Sequence, residues 1–466
     1  MRTRDVIARL PARWLSHRVW VPRVVFWVGA LAVSATATLF ALTANAADGL
    51  FHRATGTTPW VAFLITPVGL AASVLVTRRY FPGAQGSGIP QVIAATDMQD
   101  PAQIRAVLSL RVAIGKIALT LVGLGCGASI GREGPTVQVG AAIMRAIGQL
   151  FGNIAGADAG AQAARLRPLV LAGGAAGVAA AFNTPLAGVV FAIEELSHSF
   201  EQRTSGTVLT AVIVSGIATL ALTGGGSYFG HTGATLPIGV GWEAVLVCGL
   251  LGGVFGGGFS RALLWAAAGL PGAVGRFVSG RPVVFAALCG VALAGLGVAS
   301  GGATYGTGYA QAAAMVSGQS HLPGQFFIMK LAATVVSYAS GIPGGIFAPS
   351  LAVGAGLGRT VAHLLPAAAP GAVVLLGMVA YFSGVVQAPI TAAVIVMEMT
   401  DNQQMTVALM AASFLAYAVS RLVCPQPLYG ALAERFLVGL QMSEALSRSP
   451  ENGRDVPSPP NPPSSF

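Results

Sequence analysis

The chain has 466 residues, 54% of them hydrophobic and only 9% charged, with a formal net charge of +10 and a mean hydropathy of +0.72. An ordinary soluble domain is about a quarter charged, so this composition specifies an integral membrane protein. Disordered, coiled-coil and nucleic-acid-binding readings are excluded, because the basic excess sits in termini and loops, with six Arg against one Asp in residues 1–23.

Residues 1–23 place Val6, Ile7, Leu10 and Trp14 among arginines, which suits a helix lying on the inner membrane face, although Pro11 opposes one continuous helix. The apolar run from about Val24 to Ala46 ends in Ala44-Asn45-Ala46, which looks like a signal-peptidase site. At that length it exceeds a signal core and reads as a first span, with the Arg-rich start cytoplasmic. Further apolar stretches follow at roughly 60–77, 107–126, 136–151, 169–196, 207–223, 242–266, 283–300, 326–340, 346–365, 371–397 and 405–424. They are uneven and interrupted by glycine and proline, a pattern tolerated where helices line a watery cavity and therefore one that favours a transporter or channel. Residues 437–466 read as a cytoplasmic tail, disordered from about 449, with no folded regulatory domain. Cys126, Cys248, Cys289 and Cys424 are far apart in apolar surroundings and read as buried, reduced thiols.

The chain repeats itself. Lys116 to Ala141 matches Lys330 to Ala355 at a constant offset of 214, and Asn183-Thr184-Pro185 through Glu194 matches Gln387-Ala388-Pro389 through Glu398 at 204. This divides the membrane region into units at 24–223 and 224–436. Such repeats are characteristic of secondary transporters with substrate sites at broken helices.

Three segments carry the chemistry: Gly86-Ser87-Gly88-Ile89-Pro90, Gly131-Arg132-Glu133-Gly134-Pro135, and Gly344-Gly345-Ile346-Phe347-Ala348-Pro349. Glycine before and proline just inside mark a helix start, whose unpaired N–H groups and positive dipole end attract anions. The amides of Ile346 and Phe347 and the hydroxyl of Ser87 are the natural donors, and such partial charges bind a small anion without trapping it. Glu133 stands where the second repeat has Phe347, so a carboxylate there can mimic the anion and leave when protonated. The alternative is a Glu paired with Arg132 at the interface. Arg132, Gly134 and Lys116 are further candidates near the anion path. Glu194 and Glu195 end a run; Glu194 fits a cap at the water boundary, because its repeat mate Glu398 also ends one. Glu195, whose mate is Met399, is a candidate inner proton acceptor. Tyr429, after the last apolar run, reads by itself as an interfacial anchor.

Together these residues resemble the CLC family of chloride channels and chloride/proton antiporters, with GSGIP, GREGP and GGIFAP in the family's order and similarity from about residue 60 to Tyr429. The resemblance implies an all-α membrane fold of about eighteen tilted and broken helices in two inverted repeats, and a homodimer with one ion pathway per subunit. It makes Glu133 the external gating glutamate, and Ser87, Tyr429 and the amides of Ile346 and Phe347 the chloride ligands. Glu195 matches the inner proton glutamate of the antiporter branch. The implied function is chloride/proton exchange in the inner (plasma) membrane, with chloride and protons as partners, no cofactor and no metal. A passive chloride channel is the alternative. An intramembrane enzyme finds no constellation: His52, His198, His231, His321 and His363 are scattered, with no HExxH or GxSxG motif. An unrelated organic-anion transporter would need more Arg or aromatic recognition than these segments offer.

Overall fold

The computed structural model describes residues 17–448 apart from 99, 155–158, 198–201, 225, 227, 237–239, 270, 321 and 367. Residues 1–16 of the expected surface helix, and the tail from 449, lie outside the described residues. The chain is helical, and among the described residues it forms no strand. The first repeat comprises α1 (His17–Gly56), α2 (Ala62–Tyr80), α3 (Ile89–Asp97), α4 (Pro101–Val107), α5 (Leu110–Gly125), α6 (Glu133–Ile154), α7 (Ala159–Phe182), α8 (Pro185–Phe191) and α9 (Gln202–Thr223). The second comprises α10 (Val240–Ala268), α11 (Gly272–Gly280), α12 (Pro282–Ala299), α13 (Tyr309–Val316), α14 (Phe326–Ala339), α15 (Phe347–Leu364), α16 (Pro370–Val386), α17 (Pro389–Thr400) and α18 (Thr406–Val423), followed by α19 (Leu428–Arg448). Helix α1 starts before the expected first span and runs ten residues past Ala46, and α19 continues through the position where a tail was expected at 437.

Two of the apolar stretches that hydropathy reads as single runs are each two helices. Asn183, at φ 56°, ends α7, and Gln387, at φ 58°, ends α16. Each is followed by an extended residue and then a proline that opens α8 or α17. A residue before proline is pushed out of the helical region, and proline has no N–H to continue the ladder. The Gln387 side chain secures its break by donating to Ser420 Oγ at 3.1 Å and to the Cys424 carbonyl at 2.7 Å.

The repeats are inverted, and reciprocal bonds between equivalent residues mark the two-fold relation. Gly131 N–H donates to the Gly345 carbonyl at 2.7 Å, and Gly345 N–H donates to Gly131 at 2.7 Å, in an antiparallel bridge. Glu194 accepts from the amides of Ile390 (3.1 Å) and Thr391 (2.7 Å) at the start of α17. Glu398 accepts from Leu186 (3.1 Å) and Ala187 (2.8 Å) at the start of α8. The two glutamates are therefore caps, but each caps a helix of the opposite repeat and not the run that it ends. Each neutralises the unpaired amides and positive dipole end of a helix in the opposite repeat.

Small residues bring the helices of each unit together. A Cβ on Gly140 would stand 2.3 Å from the Gly173 carbonyl between α6 and α7, and one on the equivalent Gly354 would stand 2.7 Å from Gly377 between α15 and α16. Close backbone approach of this kind supplies the packing that a hydrophobic effect cannot supply between helices in lipid. Six helical stretches among the described residues are long and apolar enough to cross a membrane, and shorter apolar helices such as Phe326–Ala339 and Pro389–Thr400 accompany them. All four cysteines are free; Cys248, Cys289 and Cys424 are buried and Cys126 is half-buried.

Candidate functional site

The three glycine/proline segments meet in the interior and are tied by backbone bonds. Besides the Gly131–Gly345 pair, Gly344 N–H donates to the Gly86 carbonyl at 3.0 Å. Two buried lysines brace the loops that lead into the site. Lys116 Nζ donates to the carbonyls of Ala84 (2.7 Å), Gln85 (3.3 Å) and Gly86 (2.8 Å). Lys330 Nζ does the same for Thr304 (2.9 Å), Tyr305 (3.4 Å) and Gly306 (2.8 Å). An ammonium has three donors and no acceptor, so three carbonyls satisfy it. Lys116 thus fixes the loop carrying Ser87, and its charge is directed at carbonyl oxygens.

Each segment opens a helix as its sequence demands. Gly88, at φ 103°, caps α3 with Pro90 inside its first turn; Glu133 is the first residue of α6, and Ile346 caps α15, whose first residue is Phe347. Gly134 lets the loops touch, since a Cβ there would stand 2.3 Å from Ser87 Oγ and 3.4 Å from Gly345 Cα. The amides of Ile346 and Phe347, at the cap and first position of α15, have no intrahelical carbonyl to meet.

Glu133 is fully buried. Its Oε1 accepts from the Tyr309 hydroxyl at 2.9 Å. A Cβ on Gly131 would stand 2.2 Å from Oε2 and 3.3 Å from both Ala348 Cβ and Pro349 Cδ, which places the carboxylate at the N-terminus of α15. The Ala348 amide faces it there. No ion pair joins Glu133 to Arg132 among the described residues. The Arg132 guanidinium turns away, donating from Nη1 to the Ala41 carbonyl (2.9 Å) and Asn45 Oδ1 (2.8 Å) of α1. It also lies over the rings of Tyr228 (5.7 Å) and Tyr309 (5.9 Å). A cavity of about 280 Å³ opens beside it, lined by Thr38, Asn45, Asn183 and Tyr228 among others.

Tyr429, the second residue of α19, is fully buried, so it is not an interfacial anchor. Its ring packs against Phe347 with centroids 5.8 Å apart, in a cluster that includes Phe182, Phe191 and Phe382. The hydroxyls of Ser87 and Tyr429 are neighbours, yet both oxygens are buried without a hydrogen-bond partner among the described residues. Glu133 and Glu195 both lie within electrostatic reach of the Tyr429 hydroxyl. Glu195 is itself buried, in a π-helical turn over Ala192–Ser197 that widens the end of α8. Ser87, Glu133, Phe347 and Tyr429 are thus gathered at one place, and Glu195 approaches it from the end of α8.

A family model described as voltage gated chloride channel matches residues 68–421. The chain belongs to this family, the CLC proteins. A structure of a slow cyanobacterial Cl−/H+ antiporter is 26% identical with a TM-score of 0.75, covering 90% of this chain and 98% of that one. A eukaryotic CLC transporter (19%, TM-score 0.74, 90% and 74%) and a CLC-type fluoride/proton antiporter (22%, 0.73, 90% and 99%) share the fold.

Two tyrosines packed against Arg132 escaped the sequence reading, Tyr309, which bonds Glu133, and Tyr228, which does not. A signal for Tyr309 was present: Gly308-Tyr309 stands 220 residues after Gly88-Ile89, and Gly308 caps α13 at φ 84° as Gly88 caps α3. Tyr228 lies in the connector between the repeats, where no periodicity guides a reading.

Proposed function

We propose that this protein is a secondary antiporter that exchanges chloride for protons. It works as a multi-pass homodimer of the inner (plasma) membrane, with its N-terminus cytoplasmic and without a cofactor. One observation carries the reading: the fully buried carboxylate of Glu133 is seated at the start of α15, where amides and the helix dipole favour an anion. A carboxylate in that seat competes with chloride for it, and protonation removes the charge that holds it there. Chloride passage and proton uptake then share one step.

Chloride is held by the hydroxyls of Ser87 and Tyr429 and the amides of Ile346 and Phe347. These are neutral donors, which bind an anion without trapping it. Glu195, buried within electrostatic reach of Tyr429, hands protons to and from the cytoplasm. The 26% identity to a Cl−/H+ antiporter over nearly all of that chain supports exchange over passive flow. The Arg-rich start supports the orientation.

The test is the internal pH of chloride-loaded liposomes holding the purified protein, after a chloride gradient is imposed without a proton gradient. Uphill proton movement that reverses with the chloride gradient is expected. Glu133→Ala should keep chloride flux and lose proton movement. Chloride flux without proton movement in the unmodified protein would make it a channel.

A further inference from the structure

The bond from Tyr309 to Glu133 belongs to an assembly built around the phenol. The Tyr309 ring lies 4.9 Å from that of Tyr228 and 5.8 Å from that of Phe229, and Arg132 sits over both tyrosines. The connector supplying Tyr228 and Phe229 is anchored to the end of α17. Phe229 N–H donates to the Met399 carbonyl at 2.9 Å, Thr232 N–H to Thr400 at 3.1 Å, and Asn402 Nδ2 to Thr232 Oγ1 and the Ala234 carbonyl. On the other side, Lys330 grips the three carbonyls just before Gly308, so the residue that starts α13 has little freedom. The two-fold relation sharpens the contrast. Where one repeat pairs Glu133 with Tyr309, the equivalent positions of the other hold Phe347 and Ile89, both apolar.

We propose that Tyr309 is the positioning residue for the gate: its clamped hydroxyl holds the Glu133 carboxylate in its seat at α15, so that release of the gate requires breaking this one hydrogen bond. This rests on the reading of Glu133 as the gate. The charged and titratable groups around Glu133 are Arg132 from its own turn, Tyr309 from α13 and Tyr429 from α19, while α15 presents Ala348 and Pro349. Arg132 is committed to α1 and the two rings, which leaves Tyr309 as the side chain that bonds the carboxylate. A phenol donating to a carboxylate favours its ionised, seated form. Loss of the hydroxyl therefore lets protonation release the gate at higher pH.

The experiment is chloride efflux from liposomes across a range of external pH, with the full chain carrying Tyr309→Phe, Tyr228→Phe, Glu133→Ala, or Glu133→Ala with Tyr309→Phe. Tyr309→Phe should move the midpoint of acid-activated flux about one pH unit toward alkaline. Tyr228→Phe, which removes a neighbouring hydroxyl, should leave it in place. Glu133→Ala should abolish the pH dependence, and adding Tyr309→Phe to it should change nothing further. A fluorotyrosine introduced at position 309 keeps the ring's shape and donates more strongly, so it should move the midpoint toward acid; this arm holds even if the Phe variant folds poorly. A wild-type profile for both position-309 variants, with the profile flattened in Glu133→Ala, would overturn the proposal and leave the gate intact. An equal effect of Tyr309→Phe in the Glu133→Ala background would reduce Tyr309 to a packing role. A normal pH profile in Glu133→Ala would refute the gate itself and the proposal with it.

Discussion

Substituting Gly134 by alanine perturbs the site by a single carbon atom. The new Cβ would stand 2.3 Å from Ser87 Oγ and 2.9 Å from the Ser87 carbonyl oxygen, where ordinary contact begins at 3.4 Å. The hydroxyl must retreat by roughly 1 Å or rotate away, and Gly345 Cα, already at 3.4 Å, closes the opposite side to any relaxation of Gly134. A hydrogen bond to a charged partner contributes about 1.5–3 kcal/mol. Chloride affinity should therefore fall about tenfold to a hundredfold. Calorimetric titration of chloride into purified protein in chloride-free buffer measures this directly, with the elution profile confirming that the variant is folded. Ser87→Ala should produce a loss of the same size, and the double variant should bind little more weakly than either single one, because both act through the same hydroxyl. Wild-type affinity in folded Gly134→Ala would refute the reasoning, and with it the assignment of Ser87 as a chloride ligand.

Glu195→Gln keeps the shape of the inner glutamate but can neither take up nor release a proton. Chloride flux should persist while proton movement driven by a chloride gradient disappears, and an equal loss of both in the liposome assay would mark the residue as structural. Removing either exchanged cap, by Glu194→Ala or Glu398→Ala, leaves two helix-start amides without an acceptor and should cost about 2 kcal/mol each. The thermal unfolding midpoint in detergent should drop by similar amounts for the two, with glutamine at the same positions recovering part of it; strongly unequal losses would deny them equivalent roles.

What could be read from residues alone depended on whether the signal was local. The starts of α3, α6 and α15 were legible because glycine and proline encode them within five or six residues, and the duplication was legible from lysines and glycine/proline blocks repeated at fixed offsets, whereas its inversion was only implied by the family resemblance. The breaks at Asn183 and Gln387 were hidden from hydropathy, since apolar residues continue on both sides; only the proline two residues later marks them. The roles of Glu194 and Glu398 were beyond reach for a different reason. Each is decided by amides about 200 positions away, 196 and 197 for Glu194 and 212 and 211 for Glu398. Arg132 shows the same limit, because adjacency left open a pairing with Glu133 that the course of α1 decides against.

The reciprocal bond between Gly131 and Gly345 has a consequence for direction. A backbone whose halves exchange by rotation cannot by itself tell one side of a bilayer from the other. Vectorial behaviour must then come from side chains that spoil the equivalence, among them Glu133 against Phe347, Tyr309 against Ile89 and Glu195 against Met399, together with α19, which among the described residues has no counterpart following α9. Polarity in this molecule is written in what differs between two halves whose shared backbone lacks it.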